Sequence, residues 1–101
     1  DMIILRGVNV FPTQIEELVM ATPGLAPYYQ IELLKEGRMD AMQIHVEALP
    51  DTASAEARAD MATTLNKRIK DIVGVSTTVN VGTPGSVERS QGKARRVIDN
   101  R

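Results

Sequence analysis

The sequence predicts an α+β domain in which two helices cover one face of a three-stranded, mostly antiparallel sheet, with a small β-hairpin ahead of them. Three observations predict it. Apolar and polar residues alternate with a period of two through residues 29–33, 42–46 and 75–81. Apolar residues recur at helical spacing in Ile15, Leu18 and Val19, and again in Ala57, Met61, Leu65, Ile69 and Ile72. Turn residues separate these runs, as in Thr22-Pro23-Gly24, Glu36-Gly37-Arg38, Gly74 and Thr83-Pro84-Gly85-Ser86.

Each element has its own reason. Residues 2–10 hold two short apolar pieces split by Arg6-Gly7, which reads as a hairpin or a bent strand. Pro12 suits a first helical turn, where a missing N–H is no loss. Glu16 and Glu17 follow where a helix dipole favours anions, and the helix ends near Thr22-Pro23-Gly24. Tyr29, Ile31 and Leu33 then face one way and Tyr28, Gln30 and Glu32 the other. Met42, Ile44 and Val46 oppose Gln43, His45 and Glu47 in the next strand, across a turn at Glu36-Gly37-Arg38. Residues 53–73 form the longest helix, stopped by Gly74. Val75, Thr77, Val79 and Val81 make the last strand, and a basic loop closes the chain.

Composition narrows the function. A chain of 101 residues, 43% hydrophobic and 25% charged, is one domain. It has no cysteine and a single histidine, so neither a disulfide framework nor a metal site is expected. No run approaches a membrane span and no basic-then-apolar signal opens the chain, so a cytoplasmic location without membrane contact is expected. The net charge of −1 conceals an asymmetry. Residues 84–101 carry five basic against two acidic side chains, whereas the rest carries seven against eleven. A basic tail on an acidic body points to an anionic partner. Three aromatic residues are too few for a base-stacking platform, which argues against nucleic acid. The chain enters a strand-like run directly after Asp1-Met2, which reads as a piece of a longer polypeptide.

Two segments carry chemistry. Ser90-Gln91-Gly92-Lys93 sets a glycine, which lets backbone approach a ligand, beside a lysine able to reach a phosphate or an oxyanion as a point charge. It is not a P-loop, because the spacing from Gly85 to Gly92 is wrong and Ala94 follows the lysine. His45 lies on the polar face of its strand and reads as a surface residue, and no Ser/His/Asp triad can be built around it.

The second segment is Ile4-Leu5-Arg6-Gly7-Val8-Asn9-Val10-Phe11-Pro12-Thr13-Gln14-Ile15-Glu16. Together with Glu88-Arg89-Ser90-Gln91-Gly92-Lys93-Ala94-Arg95-Arg96 it resembles the opening and closing motifs of the small C-terminal domain of the adenylate-forming superfamily. Glu88 stands where that family commonly has a proline. The Leu-Arg-Gly-Val-Asn-Val-Phe-Pro wording is similar to the phenylacetate–CoA ligases and their aryl-CoA ligase relatives.

The resemblance implies a ferredoxin-like fold and a ligase that joins an aromatic acid to CoA with ATP, releasing AMP and diphosphate. It implies Lys93 as the catalytic lysine of adenylation, supported by Gly92. Arg6, Gly7, Val8 and Asn9 would form the loop that lines the CoA tunnel after the domain rotates. ATP and CoA are the implied co-substrates, with Mg2+ in the full-length enzyme. The implied partner is the protein's own large N-terminal domain, which would hold the ATP and acyl pockets, so this chain alone is expected to be inactive. The family's hinge residue would fall just before Asp1. Two other readings stay open: a free-standing ferredoxin-like module binding a ligand or RNA, and a ligase for another aromatic or fatty acid.

Overall fold

The computed structural model describes residues 2–88 and 96–101. Strands β1 (Ile3–Leu5) and β2 (Val8–Val10) form the expected hairpin, with Leu5 facing Val8. Its two-residue turn puts both Arg6 (φ 48°) and Gly7 (φ 78°) in the left-handed region. A glycine in the second position relieves half of that backbone penalty. Helix α1 (Pro12–Met20) starts on Pro12, and the Gln14 side chain accepts the Phe11 N–H at 3.1 Å. No acidic residue lies in its first turn, so Glu16 and Glu17 do not act on the helix dipole as expected. That effect fades beyond one turn, and Glu16 instead works through direct contacts.

The long hairpin of β3 (Leu25–Glu36) and β4 (Met39–Ala48) is antiparallel and turns at Gly37-Arg38. Helix α2 (Ala55–Ile72) is capped by the Ser54 hydroxyl, which accepts the Ala57 N–H at 3.1 Å. It ends at Gly74 (φ 90°), whose N–H bonds back to Ile69 and Lys70. The chain then crosses over the sheet so that β5 (Thr78–Gly82) runs parallel to β4.

The sheet differs from expectation in size and sense. It has four strands in the order β5-β4-β3-β6, because Val97–Asp99 (β6) pairs in parallel with β3. One antiparallel pair is thus flanked by two parallel ones, a mixed sheet. Both helices and the β1–β2 hairpin pack on the same face. Ile31, Leu33, Met42, Ile44 and Val46 meet Ile15, Val19, Leu65, Ile69, Leu5 and Val10 in one aliphatic core. Ile72 leaves the predicted stripe and is 63% exposed, while Val73 packs against the core in its place. After Met61, Leu65 and Ile69, a further step of four residues reaches residue 73.

Candidate functional site

The two motif segments attach to opposite ends of the sheet. At one end, Arg6 donates from Nη2 to the carbonyl oxygen of Ser76 at 2.8 Å, two residues before β5 begins. The Arg6 guanidinium therefore braces the hairpin turn against the α2–β5 connection. Gly7 and Asn9 are exposed at the turn, and Val8 is half-buried against the core. A Cβ added to Gly7 would meet no atom within 4 Å. Gly7 is thus required for its backbone angle, not for packing inside this domain.

At the other end, the turn Thr83-Pro84-Gly85-Ser86 leads towards the Gly-Lys segment. The Ser86 N–H donates to the Thr83 carbonyl at 3.1 Å, and Gly85 takes φ 86°. Val87 is buried. Lys93 and Gly92 lie outside the described residues, so the structure brings neither to a measured position. Their flanks are fixed nonetheless. Arg96 receives the Ile31 N–H on its carbonyl at 2.6 Å, which starts the β3–β6 pairing. Its guanidinium sits 5.0 Å from the centre of the Tyr29 ring and 3.6 Å from Glu16 Oε2, which also accepts the Tyr29 hydroxyl at 3.2 Å. Tyr29 is buried and Tyr28 exposed, as core and rim.

Register gives the separation. Ser76 precedes the Thr78↔Gln43 pair, whereas Gly82 pairs with Glu47. The six residue steps from Ser76 to Gly82 span roughly 20 Å at about 3.3 Å per residue. Arg96 follows the same logic, since Gln30 beside its Ile31 anchor pairs with His45, close to the Glu47 end.

Between the two ends, the outer face of the sheet carries a polar network. His45 Nε2 lies 2.9 Å from Glu32 Oε1 and its Nδ1 3.4 Å from the Asn80 amide, while Asn100 donates to Glu32 Oε2 at 2.9 Å. These bonds hold the Glu32 carboxyl below its ordinary value, His45 contributing most and Asn100 next. The network ties together residues of β3, β4 and β5 and the residue following β6. It reads as a brace, and His45 keeps the polar-face position its alternation predicts. Glu47 does not. Placed by alternation beside Gln43 and His45, it is completely buried. Its Oε2 accepts the Gly85 N–H.

Comparison with known proteins identifies the architecture. Residues 7–101 match the family of AMP-binding enzyme C-terminal domains. The chain belongs to that family. A phenylacetate-coenzyme A ligase of Aromatoleum evansii is 45% identical over 105 residues, a match covering all of this chain and 24% of the ligase. The chain thus spans about a quarter of the length of the curated relatives it matches. A crystallised domain of phenylacetate-coenzyme A ligase from Bacteroides vulgatus superimposes with a TM-score of 0.88 at 32% identity, covering 98% of this chain and 92% of that domain. A 2-hydroxyisobutyryl-CoA ligase, solved with 2-HIB-AMP and CoA in its thioesterification state, gives 0.89 at 31% identity over 99% of this chain and 21% of its own.

As an AMP-binding C-terminal domain, the chain has the α+β build with an N-terminal hairpin that its sequence predicts. Sequence reasoning placed Arg6 in the tunnel-lining loop, and the structure engages its guanidinium in bracing that turn. It missed the contribution of Glu47 altogether. The available signal was faint: Glu47 is the last polar residue of its strand, and the strand that pairs with it ends in a glycine just before the Thr83-Pro84-Gly85-Ser86 turn.

Proposed function

We propose that this chain is the C-terminal domain of an ATP-dependent, AMP-forming aryl-CoA ligase whose acid is phenylacetate. The observation that carries the proposal is the match over the whole chain, at 45% identity, to a ligase of that name. The 2-hydroxyisobutyryl-CoA ligase carries a domain of the same fold, so this domain serves acids of different kinds and the acid is selected elsewhere in the protein.

In the first half-reaction the acid's carboxylate attacks the α-phosphorus of ATP, displacing diphosphate and forming the acyl-adenylate. Lys93 supplies a positive point charge that bridges carboxylate and phosphate oxygens as negative charge develops. In the second, the CoA thiol attacks the acyl carbon, forming the thioester and displacing AMP. The turn at residues 6–9 lines the path of the pantetheine arm, with Gly7 presenting bare backbone. ATP and CoA are co-substrates held mainly by a large N-terminal domain, and the protein works in the cytoplasm. Mg2+ enters with ATP. Among the described residues no three His, Asp or Glu side chains come together as metal ligands.

The separation of the two ends supports this division of labour. The hairpin turn and the start of the connection to the Gly-Lys segment lie roughly 20 Å apart along the sheet, which supports a domain that reorients between half-reactions.

The test uses the full-length enzyme with Lys93→Ala. Phenylacetate-dependent ATP–pyrophosphate exchange is expected to fall by roughly 10²–10³-fold, with CoA transfer from preformed phenylacetyl-adenylate largely retained. Unchanged exchange would refute the assignment.

A further inference from the structure

Glu47 is the one fully buried charged side chain among the described residues. A buried carboxylate is costly unless it is well bonded, so its position requires an explanation. Its bond to the Gly85 N–H provides one. Glu47 pairs in register with Gly82, and a Cβ added to Gly82 would lie 2.2 Å from Ser86 Oγ and 3.0 Å from Ser86 Cβ. The chain therefore folds back over Gly82 closely enough to bury Glu47 beneath the turn, and Val87 is buried directly after it. Lys93 follows this turn seven residues after Ser86 in the sequence.

We propose that Glu47 is a positioning residue for the adenylation half-reaction. By holding the Gly85 N–H, it fixes the Thr83–Ser86 turn, from which the sequence runs on to Lys93. Glu47 touches no reacting atom in this scheme. It acts through the turn, and the inference rests on Lys93 being the adenylation lysine.

Three variants of the full-length ligase test it, with Lys93→Ala assayed beside them. Glu47→Ala removes the acceptor and is expected to lower phenylacetate-dependent ATP–pyrophosphate exchange by about 10- to 100-fold, the penalty of a misplaced catalytic group. CoA transfer from preformed phenylacetyl-adenylate should be largely retained, because the hairpin turn sits at the other end of the sheet. Glu47→Gln keeps a carbonyl oxygen for the Gly85 N–H and is expected to recover most of the exchange. Gly82→Val pushes the turn off the strand without altering Glu47 and is expected to show the same split, so the test does not depend on Glu47→Ala folding. Equal losses in both half-reactions would reduce Glu47 to a structural residue and overturn the inference. So would full exchange in Glu47→Ala and Gly82→Val alongside its loss in Lys93→Ala. Full exchange in Lys93→Ala would instead remove the reading beneath it.

Discussion

Substitutions at Gly7 separate what this glycine does for the fold from what it does for the reaction. Its φ of 78° lies in the left-handed region, and no heavy atom stands within 4 Å of where a Cβ would be. Gly7→Ala therefore carries a conformational penalty without a steric one. A left-handed L-residue costs about 1–2 kcal/mol, and reduced freedom of the unfolded chain returns about 0.4–1 kcal/mol. The net loss is about 1 kcal/mol, or roughly 4–8 °C in Tm for a domain of this size. Asparagine tolerates the left-handed region better, so Gly7→Asn should cost clearly less. Thermal unfolding of the 101-residue chain measures both. The reaction should rank them differently. If the turn is presented to the pantetheine arm, Asn places the bulkier group in the path despite its milder effect on stability. CoA transfer by the full-length Gly7→Asn enzyme should then drop by about tenfold or more, equivalent to about 1.4 kcal/mol in the barrier. Adenylation should be unchanged. Transfer that tracks stability instead, worse in Ala than in Asn, would mean that Gly7 is a hairpin glycine and nothing more.

Two further outcomes follow from the ion pairs. At 42% and 37% side-chain exposure, Arg96 and Glu16 form a screened pair. A double-mutant cycle with alanine at both positions, followed by urea denaturation, should give a coupling of about 0.2–1 kcal/mol. The single Arg96→Ala change should cost more, since it also removes a contact with Tyr29 worth about 0.5–1 kcal/mol. A coupling as large as the whole single-mutant loss would contradict that division. Arg101 bonds both Asp99 and Asp40 and holds each carboxyl below its ordinary 3.8. A carboxyl depressed in the folded state stabilises above its unfolded value, and that stabilisation disappears as pH falls through the folded value. The stability advantage of wild type over Arg101→Gln should be constant near neutrality and shrink below about pH 4. A difference independent of pH down to strong acid would exclude the linkage.

Much of this fold is legible because local signals agree with it. Tyr29, Ile31 and Leu33 alternate into the core, Ser54 and Gly74 cap α2, and Arg6-Gly7 makes the hairpin turn. What is not legible depends on contacts distant in sequence. Val97–Asp99 is too short to show a period, and it becomes a strand only by pairing with residues 31–33. That pairing turns the expected three-stranded sheet into a four-stranded one. Val75 alternates into the core as predicted, yet the strand begins only at Thr78, where the register with Gln43 starts. Glu16 looks like a helix-end charge until Arg96 and Tyr29 arrive beside it from elsewhere in the chain. Glu47 is the sharpest case. Alternation places its side chain on the outer face, and whether that face is wet depends on a turn beginning at residue 83.

The same distant contacts make the domain suited to two tasks. A hairpin whose turn is tied to the approach to β5 by one arginine, and a turn after β5 that is tied to the end of β4 by one glutamate, share a rigid sheet but no atoms. Damage at either tie stays at that end unless the core between them yields. If the whole sheet had to deform for each half-reaction, Gly7 and Glu47 variants would each impair both. A rigid body presenting first one end and then the other predicts selective losses in opposite half-reactions. The pair of variants therefore tests reorientation of the domain itself, and crossed losses in the two half-reactions are its signature.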